Sequence, residues 1–314
     1  MTAVGCSTSS LTDDDELESH RPGAPRMRSI AIAIARSGAS RATTTAARAV
    51  TRRDDASSVE RVVAFGRWSR GNQHRRRIAT TTTRAMVDES TADAKRAMRK
   101  EISSALRSMS TEELRLANDE MAKRLAVATR EAKRCGAYLA SARLREPSVD
   151  GLIERIIADP DGYVFCPVVD VDEVSGPTMR MLRVEDVERD THVGAYDLRE
   201  PTERAEDGSL RDDAIRDIER VGVLDAIIVP GVAFDARGRR LGRGGGYYDA
   251  FLEKYEAAAV AMRRPPPLVI ALAYNCQFIG DRDVPVDAHD RLVDVIVTPL
   301  KTYGATERGR AAIQ

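Results

Sequence analysis

Val229-Pro-Gly-Val-Ala-Phe-Asp-Ala-Arg-Gly-Arg-Arg-Leu-Gly-Arg-Gly-Gly-Gly-Tyr-Tyr-Asp249 is the stretch of sequence that most constrains the fold. It leaves an apolar run at residues 224–229, which predicts a buried strand, and it enters a helical pattern over residues 247–262. Glycines between a strand and a helix let the backbone approach a ligand closely, and the first N–H groups of a helix favour a phosphate. This geometry predicts a nucleotide site, although a flexible connection would also be rich in glycine.

The glycine cluster matches neither of the two common nucleotide motifs. No Gly-Lys-Ser/Thr follows it, so it is not a Walker A loop. It also lacks the Gly-x-Gly-x-x-Gly spacing that follows the first strand of a dinucleotide-binding unit. The glycines alone therefore leave the ligand open.

Short apolar runs and helical patterns alternate on both sides of this stretch. The alternation predicts an α/β fold of three layers, α/β/α, with a mostly parallel sheet and helices on both faces. Ser110 and Glu113 form a capping box at the start of the second helix. The predicted strands are residues 136–141, 163–169, 179–184, 224–229, 268–273 and 294–297, and the predicted helices are residues 94–106, 111–132, 148–158, 212–220 and 247–262.

Composition excludes several classes of protein. The 42% hydrophobic content supports a substantial core, yet no apolar run approaches the roughly 20 residues of a membrane span, so we expect no membrane segment. The four cysteines are widely separated, as in a reducing compartment. Residues 87–314 carry 34 basic and 41 acidic residues, and this acidic balance argues against nucleic acid as the main ligand.

The first 86 residues differ in composition from the rest of the chain, with 15 Arg, no Lys and 8 acidic residues. An Arg-, Ala-, Ser- and Thr-rich segment with few acids is typical of a transit peptide. We therefore expect residues 1–86 to be a disordered targeting segment that is recognised by organellar import machinery and is cleaved near residues 79–86. The mitochondrion is preferred, and the Ser and Thr content keeps the chloroplast as the alternative. A disordered basic tail and an RNA-binding tail are the competing interpretations.

The remaining chain divides into a catalytic domain at residues 87–303 and a C-terminal tail at residues 304–314. Within it, the string from Arg240 to Asp249, preceded by Pro230 to Asp235, resembles the signature of the 5-formyltetrahydrofolate cyclo-ligase family. Two further blocks agree with that family in order and spacing: one runs from Ala94 to Glu113, and the other from Ala271 to Thr298. The resemblance covers about Lys95 to Thr298.

The resemblance implies both a fold and a reaction. The fold would be related to sugar-phosphate isomerases and CoA transferases. The substrates would be Mg-ATP and 5-formyltetrahydrofolate. The formyl oxygen would take the γ-phosphoryl group, a ring-system nitrogen would attack the activated carbon, and loss of phosphate would leave 5,10-methenyltetrahydrofolate.

Phosphoryl transfer relies mainly on positioning and charge stabilisation, so cationic, glycyl and carboxylate residues are the expected site residues. By resemblance, Arg243 and Tyr248 are the catalytic candidates, Glu146, Gly244 and Tyr248 would bind folate, and Asp249 and Asp290 would hold Mg²⁺. The implied ATP contacts are Lys95, Arg96, Arg99, Arg240, Gly242, Arg243, Gly244, Gly245, Gly246, Tyr247 and Tyr248. An exposed basic helix face and a helix-capping role for Asp249 are the plainer alternatives.

This chain departs from the family pattern at two places. Some relatives carry lysine where this chain has Gly245, so Arg243 or Lys95 must supply that charge. The segment before Glu146 is about two residues longer, which places the folate contacts near Ser141 and Ala142 in question. A noncatalytic binding protein and a sugar-phosphate isomerase on the same fold are the competing functions, and an ATP requirement separates them from a cyclo-ligase.

Overall fold

The computed structural model describes residues 71–172, 176–194, 198–280 and 282–314. The predicted targeting segment therefore lies outside the described residues except for its last 16 positions. Within the described ranges, no helix combines the length and apolar character needed to cross a membrane.

Eleven strands are present in the described part of the chain. They are β1 (Arg134–Gly136), β2 (Tyr163–Asp172), β3 (Gly176–Val184), β4 (Thr191–Val193), β5 (Arg199–Pro201), β6 (Ala226–Val229), β7 (Ala233–Phe234), β8 (Arg240–Leu241), β9 (Leu268–Leu272), β10 (Val295–Val297) and β11 (Thr302–Gly304). The helices of the same ranges are α1 (Gly71–Ser108), α2 (Thr111–Ala128), α3 (Asp150–Ile157), α4 (Val187–Asp190), α5 (Ile218–Val221), α6 (Tyr247–Ala261) and α7 (Glu307–Ala312).

Seven strands form the main sheet, in the order β11-β10-β9-β6-β1-β2-β3. The five central strands pair in parallel, and the two edge strands, β3 and β11, pair antiparallel to their neighbours. The mostly parallel α/β sheet is confirmed. The sequence pattern did not include β11, and alternation alone could not show that β3 runs antiparallel, because a hairpin and a crossover produce similar apolar runs.

Hydrophobic residues pack on both faces of this sheet. On β6, Ile228 faces the cluster that contains Met121 and Ile153 of α2 and α3. Its neighbour Ile227 faces the other cluster, which contains Phe251 of α6. Successive strand residues point to opposite faces, so this central strand must be apolar throughout, and all four of its residues are buried. The expected three layers are confirmed.

The start of the second helix is confirmed in detail. The Ser110 N–H donates to Glu113 Oε2 at 2.6 Å, and the Glu113 N–H donates to Ser110 Oγ at 3.2 Å, which completes the capping box. The preceding helix α1 already begins at Gly71. Residues 71–86, which we expected to be disordered, are therefore helical in the structure.

Several predicted elements are shorter than expected, and two of them are no more than half the predicted length. The strand predicted at residues 136–141 is observed as Arg134–Gly136, because the chain turns after it to place Glu146. Only Ile218–Val221 of the helix predicted at residues 212–220 is helical. Asp213 Oδ1 accepts the N–H groups of Ile215 and Arg216, so side chains take up backbone donors and favour turns there.

The last residues of the chain are part of the folded unit rather than a free tail. Thr306 caps α7, and its Oγ1 also donates to Asp294 at 2.6 Å. Arg308 forms an ion pair with the same aspartate. A β-carbon at Gly309 would stand 1.9 Å from the Asp294 carbonyl oxygen, so glycine allows the helix to approach the sheet closely.

Candidate active site

Two segments that are far from each other in sequence meet beside the glycine loop at residues 242–246. From α1, Arg99 Nε donates to the Gly242 carbonyl at 2.8 Å. The segment before β10 adds the Arg291 N–H, which donates to Asp249 Oδ1 at 3.1 Å. This convergence lies beyond the carboxyl end of β6, the usual location of ligands in a parallel α/β sheet.

The glycine loop has the backbone geometry of an anion site. Gly244 and Gly246 have φ values of 112° and 68°, in the left-handed region that favours glycine. Gly246 is directly followed by α6, whose first N–H groups lack partners inside the helix. At Gly245 a β-carbon would stand 2.4 Å from the Tyr247 ring, so the ring occupies the space where a longer residue would begin.

Arg240 supports the loop from inside the protein. Its Nη2 donates to Asp249 Oδ1 at 2.8 Å and its Nη1 donates to the Pro230 carbonyl at 3.2 Å. The Arg240 side chain is only 4% exposed, and its Nε is buried without a hydrogen-bond acceptor among the described residues. The Asp249 carboxylate therefore neutralises a buried guanidinium, whereas the N-cap of α6 is Gly246.

The loop borders a cleft of about 230 Å³ that contains the predicted folate residues Glu146 and Tyr248. Burial raises the pKa of Glu146, although hydrogen bonds from the Ser141 N–H and the charge of Arg243 oppose the shift. The donor–acceptor distances are 3.1 Å from Ser141 N to Oε2 and 3.5 Å from Arg243 Nη2 to Oε1. The Tyr248 hydroxyl is buried without a partner in the described structure, and burial raises the pKa of this phenol. These groups offer an acceptor and a donor to a ligand.

The longer segment before Glu146 forms a turn that orients this glutamate. Ser141 Oγ accepts the Leu144 N–H at 3.3 Å, and the Ser141 carbonyl accepts the Glu146 N–H at 3.2 Å. Ala142 is exposed on the turn. Ser141 thus acts on the cleft through the Glu146 carboxylate.

Sequence reasoning missed one wall of the cleft. Leu198, Arg199 and Glu200 line it from β5 and the residue before this strand. Burial raises the pKa of Glu200, as it does for Glu146. The available signal was a repeated tetrapeptide, because Leu-Arg-Glu-Pro occurs at both 144–147 and 198–201. Both copies contribute a leucine and a glutamate to the same cleft.

The predicted cations fall into three environments. Lys95 is nearly buried and contacts Asp287 and Asp290, with Nζ to Oδ2 distances of 2.8 Å and 2.5 Å. Arg243 is partly exposed at the cleft and donates to the Leu144 carbonyl at 3.1 Å. Arg96, by contrast, is 77% exposed and pairs with Asp93, so the structure does not bring it to the glycine loop.

Of the two residues predicted to bind metal, Asp249 contacts the backbone next to Asp290, whose own carboxylate pairs with Lys95. Asp249 lies in the first turn of α6, and Arg291 donates its backbone N–H to Asp249 Oδ1. Across the described ranges, no group of three or more His, Cys, Asp or Glu side chains could hold a metal ion. Two carboxylates fit Mg²⁺ when phosphate oxygens and waters complete its shell.

A glycine loop at the carboxyl edge of a parallel sheet, beside a cleft lined by buried polar groups, is the arrangement of a ligand-binding α/β protein. The sequence profile of the 5-formyltetrahydrofolate cyclo-ligase family matches residues 91–299. The chain belongs to this family of enzymes.

Individual relatives agree with this assignment. The mitochondrial 5-formyltetrahydrofolate cyclo-ligase of Arabidopsis thaliana is 32% identical over 240 residues, which are 74% of this chain and 84% of that protein. The mouse cyclo-ligase is 36% identical over 103 residues, 33% of this chain and 44% of its own length. The solved structure of the Aquifex aeolicus 5,10-methenyltetrahydrofolate synthetase is 27% identical, covers 68% of this chain and 93% of its own, and has a TM-score of 0.50.

Proposed function

We propose that this protein converts 5-formyltetrahydrofolate to 5,10-methenyltetrahydrofolate in an ATP- and Mg²⁺-dependent reaction that releases ADP and phosphate. The observation that carries the proposal is that the glycine loop, a candidate phosphate site, lies next to the cleft that would bind the folate. Arg99 donates to the glycine loop, which would bind phosphate with Lys95 one helical turn away on α1, and the loop also borders the cleft that holds Glu146 and Tyr248. A phosphoryl donor and a ring-shaped acceptor can therefore bind side by side.

The chemistry requires two bond exchanges. The formyl oxygen attacks the γ-phosphorus of ATP, and the bond to the bridging oxygen breaks as ADP leaves. The neighbouring folate nitrogen, N10, then attacks the activated formyl carbon and loses its proton. The carbon–oxygen bond breaks, and inorganic phosphate carries away the former formyl oxygen.

The protein contributes charge and position to these steps. The N–H groups at the start of α6 and the guanidinium groups of Arg99 and Arg243 would stabilise the transferring phosphoryl group. Arg240 holds the loop in place through Asp249. Glu146 would accept hydrogen bonds from the folate ring edge, and the Tyr248 hydroxyl would donate to the reacting formyl or phosphoryl oxygen. Both side chains line the cleft.

Asp249 and Asp290 would hold Mg²⁺ together with the ATP phosphates. The metal would neutralise phosphate charge and fix the phosphate geometry. The donor set is suitable, because both groups are carboxylates, and the residue after Asp290 donates its N–H to Asp249. The recorded donors to Asp249, from Arg240 and Arg291, both reach Oδ1.

We also propose that residues 1–86 target the protein to the mitochondrion, with the chloroplast as the alternative, and are removed after import. Support comes from the acid-poor, Arg-rich composition and from the similarity to an Arabidopsis protein named as mitochondrial. The test is a fluorescent fusion of residues 1–90. Retention of that fusion in the cytosol would reject both organelles.

The activity is tested with the full chain and 5-formyltetrahydrofolate, following the absorbance of the methenyl product. We expect product only when ATP and Mg²⁺ are both present. A folded protein that gives no product with both would contradict the assignment. Turnover of a sugar phosphate without ATP would instead favour an isomerase, and folate binding without turnover would favour a noncatalytic binding protein.

A further inference from the structure

The Lys95 side chain lies between two carboxylates of one loop. Its Nζ is 2.8 Å from Asp287 Oδ2 and 2.5 Å from Asp290 Oδ2. The Asp287 N–H also donates to Asp290 Oδ2, at 2.7 Å. The lysine and Asp290 side chains are 11% and 12% exposed, whereas that of Asp287 is 35% exposed. One ammonium therefore serves two acids, and the more accessible acid is the one without a proposed ligand role.

These contacts conflict with the demands of nucleotide binding. Under the proposed function, on which this inference rests, Asp290 holds Mg²⁺ and Lys95 reaches phosphate. In the structure, Asp290 Oδ2 already accepts the ammonium and a backbone N–H. A divalent cation at Asp290 would repel the ammonium from this oxygen, so the lysine needs another anionic partner.

We propose that Asp287 is a positioning residue that holds the Lys95 ammonium while Asp290 exchanges it for Mg²⁺. The ammonium keeps one carboxylate partner throughout the exchange, because Asp287 contacts it independently of Asp290. The Asp287 backbone N–H keeps Asp290 oriented at the same time. Asp287 also gives the three side chains a net charge of −1, which favours the divalent ion over the lysine.

Asp287→Asn isolates the side-chain charge, since the variant retains the backbone N–H that orients Asp290. We expect this variant to bind metal-free ATP more tightly and the divalent metal ion more weakly. Calorimetry in EDTA should show Mg²⁺-free ATP binding roughly threefold more tightly, because a carboxylate near the phosphates is lost. Mn²⁺ binding to the ATP complex, followed by its electron paramagnetic resonance signal, should weaken roughly fivefold.

Lys95→Met tests the competition between the ammonium and the divalent cation for the Asp290 carboxylate. The variant removes the ammonium and keeps an apolar side chain of similar length. The nucleotide-free variant should bind Mn²⁺ roughly tenfold more tightly than the wild type, because both carboxylates lose their competing cation. ATP binding should weaken in the same variant.

Two variants serve as controls. Asp283→Asn removes an exposed carboxylate of the same loop, one that pairs with Arg237 and Arg239 instead of Lys95, and it should leave both titrations unchanged. Asp287→Glu restores the charge and should restore the wild-type order of affinities.

The role of Asp287 would be overturned if Asp287→Asn bound both ATP and Mn²⁺ more weakly, or if both of its binding curves matched those of the wild type. Thermal unfolding of each variant detects a fold defect, which would also weaken both ligands together. Formation of the methenyl product by the wild type is measured separately. An inactive wild type would reject the proposed function, whereas an active wild type with unaltered Asp287→Asn titrations would reject this inference alone.

Discussion

Two ionic clusters in this protein use the same types of side chain in different ways. In the first, which we call the hairpin cluster (Arg189, Asp190 and Arg211), the Asp190 carboxylate is 1% exposed. It accepts from both arginines at 2.8 Å and from the N–H groups of Glu185 and Asp186. In the second, the lysine cluster (Lys95, Asp287 and Asp290), one ammonium is shared by two carboxylates.

The difference lies in how completely the protein satisfies each charge. Burial alone would raise the pKa of Asp190, but the hydrogen bonds from Arg189, Arg211 and the backbone outweigh it and lower the pKa. The Asp190 carbonyl also accepts the Thr202 N–H, which ties this cluster to the end of β5. The hairpin cluster is complete without a ligand and fixes a wall of the cleft. The lysine cluster has one ammonium for two carboxylates, and it neighbours the site proposed to bind ATP phosphates, where the ammonium could exchange with a metal ion.

The largest expected effect is on stability, from Asp190→Asn. Removing one partner from a buried ion cluster leaves uncompensated charge and costs about 3–5 kcal/mol. Urea unfolding should show the loss at neutral pH. Because the pKa of Asp190 is lowered in the folded protein, its contribution is present above the ordinary aspartate pKa and is lost as the pH falls through the folded value.

The control for this variant is Glu188→Gln, which removes an exposed partner of Arg199 near the same hairpin. It should leave the urea midpoint almost unchanged. If Asp190→Asn unfolds at the wild-type urea concentration, the hairpin cluster is not a stabilising feature and the comparison fails.

The next effect is on metal dependence. Asp249→Asn and Asp290→Asn should each raise the Mg²⁺ concentration for half-maximal activity by about tenfold and raise KM for ATP, because each removes a carboxylate from the proposed metal site. Folate binding should change little. Asp249→Asn should also cost about 1–3 kcal/mol of stability, because the buried Arg240 guanidinium loses its charged partner.

Titrating activity against Mg²⁺ at fixed ATP checks this expectation, and urea unfolding checks the stability difference between the two variants. Unchanged metal dependence in both would show that these carboxylates do not hold the metal. A stability loss in Asp249→Asn without a metal effect would make Asp249 a partner of Arg240 only.

A third comparison sets the two Leu-Arg-Glu-Pro segments against each other. Glu146→Gln should lower kcat/KM for the folate by about 10- to 100-fold. This factor corresponds to the free energy of one hydrogen bond to a charged group. Glu200→Gln should lower it by roughly threefold, because Glu200 is the more accessible of the two acids and its loss leaves the ring-edge contact in place. KM for ATP should stay constant in both. An equal loss in the two variants would mean that both acids contact the substrate equally.

Acid pH should produce a smaller effect through Glu146. Burial raises its pKa, so this carboxyl takes up a proton at higher pH than an ordinary glutamate. If the ionised form binds the folate, kcat/KM should fall on acidification with an apparent pKa above the usual glutamate value. The pH profile of Glu146→Gln should lack this step. A step that persists in the variant would assign it to another group.

The smallest effect is expected for Arg96→Ala. Arg96 neighbours Lys95 in sequence but points to solvent and pairs with Asp93. KM for ATP should change by less than about twofold. A loss as large as that of Lys95→Met would show that Arg96 reaches the phosphates in the complex with ATP.

The sequence was sufficient for much of the fold because several signals are local. The Ser110 capping box depends on residues three positions apart, and the apolar run of β6 reflects burial on both faces. The glycine loop also predicted its own position between a strand and a helix. Local patterns do not contain strand pairing, so the antiparallel direction of β3 and the addition of β11 were not available from them.

The candidate site also has features that local sequence predicted and features that only the tertiary structure decided. The glycine string and its order with the flanking blocks indicated the family and the candidate site residues, because closely spaced glycines, arginines and acids constrain one local geometry. Only the tertiary structure decided which of these residues meet. It joined Lys95 to Asp287 and Asp290 across more than 190 positions, turned Arg96 to solvent, placed Arg240 under the loop, and brought the second Leu-Arg-Glu-Pro segment to the cleft. The physical reason is that charge pairing and burial depend on distances through space, which the packing of helices on the sheet fixes and sequence separation does not.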